Sequence, residues 1–220
     1  LNSTIGTDPD FIIEPFVPVS VEGQSVSILG RTVELGASGL PQQIFSYFSP
    51  ELTSFLDTPE TLLSRPMDLG LTVAGTTEAL ESPEFEVHQV ARGRAEWSVE
   101  SSSESFEVGV VGALEYDGML EYRITVTALD DVRVDDVALP VSLVPDAAEY
   151  MLGLGFRGGK RPRTVEWEWK IENHHEGVWL GSVNKGIQYV LRDENYVRPL
   201  NTNFYQNQPL ILPESWYNGG

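Results

Sequence analysis

The feature that most restricts the fold of this chain is an alternation of apolar and polar residues with a period of two. In MLEYRITVTA, residues 119–128, the even positions from Leu120 to Ala128 are apolar and the odd positions from Glu121 to Thr127 are polar. The segments AEWSVE, SFEVGV and TVEWEWKIE alternate in the same way. Because successive side chains of a strand point to opposite faces, this pattern predicts strands with one buried face and one exposed face.

Turn signals separate the alternating segments, and many short strands at such spacing favour an all-β, antiparallel, two-sheet sandwich. A phase slip at Asp135–Asp136 predicts a β-bulge or a turn. The best helix candidate is residues 49–65, which Thr58–Pro59 limits to two short turns. No segment is rich enough in Pro, Gly or Ser to divide the chain, so we expect one domain over residues 1–220.

Charge is distributed unevenly and excludes some partners. Residues 1–150 carry 6 Lys and Arg against 26 Asp and Glu, whereas residues 151–220 carry 8 against 7. An acidic surface repels phosphate backbones and anionic lipids, so we expect neither nucleic acid nor membrane as a partner. The chain has no cysteine, which excludes disulfides, zinc–thiolate sites and a cysteine nucleophile.

Residues 166–181, EWEWKIENHHEGVWLG, place three tryptophans, carboxylates and two histidines in one short stretch. Trp167 and Trp169 share a strand face with Val165 and Ile171, and this apolar stripe favours core residues over a sugar-stacking platform. Trp97 is predicted to be buried for the same reason.

Candidate carbohydrate-binding residues lie beside this stripe and in the last segment of the chain. The opposite strand face carries Glu166 and Glu168, whose carboxylates can bond sugar hydroxyls. His174 and His175 precede a turn, and residues 198–220 form an irregular aromatic and Asn-rich segment. The candidate set is Glu166, Glu168, His174, His175, Asn201, Asn203 and Tyr205. No catalytic residue is assigned.

Metal and cofactor sites find little support in the sequence. Adjacent strand residues point to opposite faces, so His174 and His175 do not share a metal easily. We expect no cofactor. Structural calcium remains an alternative at the acidic segment that contains Asp130, Asp131, Asp135 and Asp136.

Several segments together resemble a known family. They are NSTIG (2–6), LGRTVELGASGLP (29–41), EYDGM (115–119), GLGFRGG (153–159), GVWLGSVNKGIQ (177–188), RPLNTNFY (198–205) and LPESWYN (212–218). The chain is similar to the amino-terminal β-sandwich region of large bacterial proteins related to glycoside hydrolase family 123. Its first strands also resemble the galactose-mutarotase-like supersandwich.

The resemblance implies a non-catalytic β-sandwich of supersandwich type that supports a catalytic (β/α)8 barrel of the same chain. We expect that barrel after residue 220, and we take these residues as a fragment of a longer, exported protein, periplasmic or extracellular. Carbohydrate is a further expected partner. Two alternatives remain open: an autonomous carbohydrate-binding module, and a supersandwich enzyme, lyase or mutarotase, that uses His and Glu.

Overall fold

A computed structural model describes residues 8, 10–168 and 177–190 of the chain. These residues form two compact units, each described by itself below. The first contains the described residues up to Glu149 together with Gly181–Gly186, and the second contains those of Tyr150–Leu180 and those from Ile187 onward. No helix in the described part is long and apolar enough to cross a membrane.

The described elements are sixteen strands and one short 3-10 helix, Pro145–Ala147. The strands are β1 (Ser20–Glu22), β2 (Ser25–Ile28), β3 (Arg31–Leu35), β4 (Pro41–Phe48), β5 (Phe55–Thr61), β6 (Gly70–Val73), β7 (Thr76–Thr77), β8 (His88–Ala91), β9 (Arg94–Ser102), β10 (Phe106–Glu115), β11 (Leu120–Ala128), β12 (Val134–Ala138), β13 (Tyr150–Gly153), β14 (Phe156–Lys160), β15 (Gly177–Gly181) and β16 (Gly186–Val190).

Three sheets of antiparallel strands build the first unit. Strands β1 to β5 form one sheet in chain order, and β11-β10-β9-β8 and β12-β6-β7 form the other two. Apolar residues of β2 and β3 share one buried cluster with Ala95 and Trp97 of β9, so the first two sheets pack face to face. The prediction of an all-β, antiparallel sandwich with little helix is confirmed.

A second buried cluster joins the other half of β10 to the small sheet. Phe106, Val108 and Val110 of β10 pack with Leu71 of β6 and with apolar side chains of the intervening loops. The long strand β10 therefore contributes to both cores of the unit. Its buried face is the one that the alternation in SFEVGV predicts.

Trp97, Gly112 and Tyr122 lie in one row across the second sheet, on its buried face. Gly112 is paired with Trp97 of β9 on one side and with Tyr122 of β11 on the other. The two rings meet edge to face over the glycine, with centroids 5.9 Å apart. Trp97 is 3% exposed, and its Nε1 donates a hydrogen bond of 2.8 Å to the carbonyl of Gly39. The prediction that Trp97 is a core residue is confirmed.

The predicted irregularity near Asp135–Asp136 is also present. The pairing of β12 with β6 shifts register between Val134 and Asp136, as expected for a bulge. An extra residue at this point moves the following side chains to the other face. Leu139 and Val141 then pack against the second core.

The prediction of helical turns within residues 49–65 is wrong. Phe55–Thr61 is the strand β5, which pairs antiparallel with β4. Pro59 ends a helix but is tolerated in an edge strand, where its missing N–H breaks no ladder. Because β5 is the outermost strand of its sheet, the proline fits there.

The second unit contains one sheet with the strand order β14-β13-β15-β16. Strands β13 and β14 form an antiparallel hairpin, and the N–H of Leu154 donates to the carbonyl of Gly177. The strand predicted across residues 164–172 is absent over the described positions 164–168. Trp167 is half-buried there and belongs to neither of the two core clusters. Trp169 lies outside the described residues. The prediction of one domain over residues 1–220 stays a prediction.

Candidate functional site

One surface site in the described residues lies at one end of the first sheet, around the two-residue turn Leu29–Gly30. Gly30 has φ +65°, a left-handed conformation that glycine adopts without strain. A Cβ on Gly30 would lie 2.6 Å from Cε2 of Phe48 and 2.7 Å from Cε1 of Phe55. The absence of a side chain at this turn therefore lets the two rings close over it, with centroids 5.3 Å apart.

Arg31 follows this turn and places its guanidinium over the Phe48 ring, with Cζ 5.3 Å from the ring centroid. Burial lowers the pKa of Arg31, and the carboxylate of Asp117 opposes that shift. An arginine stays charged under these conditions. None of its N–H donors has a hydrogen-bond partner among the residues that the structure describes, so the cation keeps its full donor capacity.

Beside this turn lies a shallow pocket of about 330 Å³ that is widely open to solvent. Its lining residues are Ser27, Ile28, Gly30, Arg31, Thr32, Tyr47 and Phe55. Ser27 Oγ and Thr32 Oγ1 are hydrogen-bonded at 2.9 Å, and the Phe55 side chain is 55% exposed. We call this site the Arg31 pocket. It combines a guanidinium whose N–H donors have no hydrogen-bond partner in the described part, hydroxyl groups and an exposed aromatic ring.

A second polar cluster lies within the first unit, where Asn184 and Lys185 contact the first sheet and the 3-10 helix. Asn184 Nδ2 donates to the Phe48 carbonyl at 2.7 Å and to Glu60 Oε2 at 2.8 Å, and its own carbonyl accepts from Ser46 Oγ. Lys185 Nζ lies 2.7 Å from Asp146 Oδ2 and 3.4 Å from Glu60 Oε2. Lys185 is buried at 9% exposure, so these contacts join three distant parts of the chain.

The charges of this cluster support one another. The Lys185 ammonium lowers the pKa of Asp146 by hydrogen bonding. Burial alone would lower the pKa of Lys185, but the hydrogen bond to Asp146 and the charge of Glu60 outweigh burial and raise it. The cluster is a structural clasp with satisfied partners.

We expect the clasp to make stability depend on pH at both extremes. The lowered pKa of Asp146 gives a contribution that is present above about pH 4 and is lost as pH falls through the folded-state value. The raised pKa of Lys185 gives one that is lost only as pH rises beyond about 10.5. Lys185→Met removes the hydrogen bond and ion pairs of the ammonium and should lower the free energy of unfolding at neutral pH by about 1–2 kcal/mol. The loss is no larger because the exposed carboxylates are hydrated once the ammonium is gone.

Urea unfolding from acid to alkaline pH measures this effect. The Lys185→Met protein should show a flatter pH dependence than the wild type at both ends of the range. Arg123→Met removes a cation from an exposed position of β11 and serves as the control. Equal losses in both variants, or an unchanged pH dependence, would contradict the clasp.

The structure places only two of the predicted carbohydrate-binding residues. Glu166 and Glu168 are exposed in a segment without regular structure. They do not line the Arg31 pocket. The other five, His174, His175, Asn201, Asn203 and Tyr205, lie outside the described residues.

Comparison with protein families supplies the identification. Residues 19–220 match the family model described as "Glycoside hydrolase 123, third domain". This match covers nearly the whole chain.

The chain belongs to this family.

The match confirms the resemblance to glycoside hydrolase 123, and the description of the family implies a catalytic domain elsewhere in the same protein. The order of the domains, with a barrel after residue 220, stays a prediction. Neither a curated protein nor a solved structure matches the chain.

In the described part of this third domain, no cluster of three or more His, Cys, Asp or Glu residues is arranged to hold a metal ion. Of the four aspartates considered for calcium, Asp135 uses Oδ2 to accept a hydrogen bond of 2.8 Å from the N–H of Gly75. That bond fixes the turn beside the bulge.

The Arg31 pocket of this third domain was missed by sequence reasoning. Gly30 marks a turn, and Tyr47, Phe48 and Phe55 are near in sequence, but their convergence depends on the pairing of β4 with β5. That pairing was hidden by the expectation of helical turns after Ser49. A strand assignment for residues 55–61 would have placed Phe55 opposite Phe48.

Proposed function

We propose that this third domain is the non-catalytic β-sandwich of an exported bacterial glycoside hydrolase and supports the catalytic domain of the same protein. The family match over residues 19–220 is the observation that carries the proposal. In this role the sandwich positions the catalytic domain and contributes to carbohydrate binding beside it.

The ionisation of two described carboxyl groups, Glu78 and Asp146, supports this role. Glycoside hydrolysis requires one carboxylic acid whose pKa is raised so that it can protonate the leaving group. Hydrogen bonds from Ser103 and Ser105 lower the pKa of Glu78, and Lys185 lowers that of Asp146. Both shifts favour the ionised carboxylate, which is the wrong direction for a general acid.

Close pairing of acids on the outer face of the second sheet has a structural purpose as well. Glu96 and Glu115 flank Arg94, whose Nε and Nη1 lie 2.6 Å from their respective Oε1 atoms. The hydrogen bonds to these carboxylates raise the pKa of the guanidinium. Arg94 and Glu96 belong to β9 and Glu115 to β10, so these ion pairs are suited to fixing the two strands together.

We expect the 220-residue chain alone to hydrolyse no glycoside, whereas the complete protein does. Hydrolysis needs an acid pair for protonation and nucleophilic attack, and we expect the catalytic domain to supply it. The measurement is the release of aryl groups from aryl β-N-acetylgalactosaminide, β-galactoside and β-glucoside by each protein.

The control is the Glu166→Gln, Glu168→Gln double variant of the 220-residue chain. Turnover by the chain that disappears in this variant would overturn the proposal and would place catalysis in the sandwich. Turnover by the complete protein alone would support the proposed division of roles.

An autonomous carbohydrate-binding module is the second candidate, and the Arg31 pocket is the observation that favours it. Polar groups that converge beside an exposed aromatic ring in a pocket suit recognition of a small polar ligand. A module would bind glycan as the isolated chain. A purely supporting domain would not.

A further inference from the structure

We propose that the Arg31 pocket binds a sugar residue that carries a carboxylate, such as a uronic acid within a glycan. The inference rests on the carbohydrate context of the proposed function and adds a site and a ligand class to it. Its physical basis is the combination of groups at the β2–β3 turn.

Arg31 is the only charged side chain that lines the pocket among the described residues. Its ring contact with Phe48 holds the guanidinium in place, while its N–H donors remain free of protein acceptors in the described part. A planar guanidinium with free donors matches a carboxylate, which it binds through two parallel hydrogen bonds. A guanidinium that is fixed by a ring contact and has N–H donors without protein acceptors in the described part favours an anionic group on the ligand.

The rest of the lining favours a sugar over a simple anion. Phe55 presents an exposed ring beside Arg31, and an apolar ring face packs against the C–H face of a pyranose. Ser27, Thr32 and Tyr47 add hydroxyls that both donate and accept hydrogen bonds. The ligand therefore needs an apolar face, hydroxyls and a negative charge together, as a uronic acid residue has.

The composition of the lining also separates acidic from neutral sugars. The hydroxyls of a neutral sugar donate as well as accept, and the side-chain acceptors that line the described pocket are hydroxyls, two of which are already hydrogen-bonded to each other. No Asp, Glu, Asn or Gln side chain lines the pocket in the described part. Asp117 is close enough to act on Arg31 electrostatically but is not part of the lining. The Arg31 guanidinium has donors only, and a carboxylate supplies the acceptors for it.

Position in the fold makes the site rigid. The turn is fixed because the N–H of Tyr47 donates to the Gly30 carbonyl at 2.9 Å, and Ile28 pairs with Arg31 across the hairpin. Ile28 is itself part of the first buried cluster. A ligand therefore meets groups that are ordered before it binds, and this lowers the entropic cost of binding.

The test is isothermal titration calorimetry of the 220-residue chain. One titration uses an oligogalacturonate and the other a neutral galactose oligosaccharide of the same length. We expect the acidic oligosaccharide to bind and the neutral one to bind far more weakly. Arg31→Gln should weaken acidic binding by about tenfold or more, as expected for a hydrogen-bonded charge pair. Arg31→Lys, which keeps the charge but not the paired donors, should recover only part of the affinity.

Phe55→Ala tests the sugar-stacking surface and should weaken binding of the oligosaccharide more than it weakens binding of acetate, which has no ring. Arg123→Gln makes the same charge change on β11 and should leave binding unchanged. Thermal unfolding of each variant confirms that it is folded before its affinity is compared.

Equal binding of acidic and neutral oligosaccharides, the same affinity in Arg31→Gln as in the wild type, or no binding at all would overturn the inference. These outcomes are independent of the hydrolysis assay. If the complete protein hydrolyses glycosides and the isolated chain binds no uronate, only the ligand inference fails. If the isolated chain hydrolyses glycosides, the proposed supporting function fails, whatever the pocket binds.

Discussion

Replacing Trp97 with Ala is expected to lower the free energy of unfolding by about 3–5 kcal/mol, the usual cost of deleting a buried tryptophan. Three contacts are lost together. The ring leaves a cavity in the first core, its edge contact with Tyr122 disappears, and the Gly39 carbonyl loses the Nε1 donor. A buried carbonyl without a donor adds its own cost to that of the cavity.

Urea unfolding of the wild-type and Trp97→Ala proteins, followed by far-ultraviolet circular dichroism, measures the difference. Tyr122→Phe is the control, because it keeps the neighbouring ring and removes a buried hydroxyl that has no hydrogen-bond partner in the described part of the chain. Its stability should be unchanged or slightly higher. A Trp97→Ala protein as stable as the control would show that the ring does not sustain the core.

Gly112→Ala is expected to cost about 1–3 kcal/mol, the range for overpacking a well-filled core. An added Cβ would lie 2.3 Å from Cε2 of Trp97, well inside the contact distance. The ring has no free direction in which to move, because Tyr122 packs against it and Gly39 holds its Nε1. Exchanging glycine for alanine in a strand would otherwise be mildly favourable.

Gly109→Ala makes the same change three residues earlier on β10 and is the matched control. There the added Cβ would meet only the carboxylate of Glu100 at 3.0 Å, the end of a flexible and exposed side chain. The control should therefore be close to neutral in urea unfolding. If both variants lose the same stability, the close approach of Trp97 to Gly112 does not explain the glycine.

Strands β9 and β10 of the second sheet could be predicted from sequence because each has one buried face. In β9, Ala95, Trp97 and Val99 are buried and the residues between them are more exposed. Burial on one face requires alternation in the sequence, so a local pattern was enough to identify these strands.

Residues 55–61 could not be predicted in this way because β5 is an edge strand without a regular buried face. Its exposed and half-buried positions do not alternate, and Pro59 together with the Ser49–Pro50 pair imitates helix punctuation. Pairing with β4 decides the conformation here. That information is in the partner strand and is absent from the segment itself.

The candidate sites depend on contacts between residues far apart in the chain. Such contacts do not change the local alternation of apolar and polar residues, so the sequence pattern does not indicate them. The acids and histidines near Trp167 were predicted to bind carbohydrate because of the composition of that segment. Glu166 and Glu168 are exposed in a segment without regular structure. Lys185 gave no signal, because its partners Glu60 and Asp146 are 125 and 39 residues away in sequence. Sequence separation of this size can be bridged only by the complete fold.

The return of residues 181–186 to the first unit has a consequence for synthesis and for dissection of the protein. The Ser46–Asn184 contact spans 138 residues, so this unit is incomplete until the ribosome has passed residue 186. Closing so long a segment is an entropically costly, late step of folding. A protein cut after Glu149 would lack the donors that Asn184 gives to Phe48 and Glu60, although the strands of all three sheets of the unit end before that residue. A truncated protein that keeps the first unit complete must therefore include residues 181–186, although the last strand of the three sheets ends well before them.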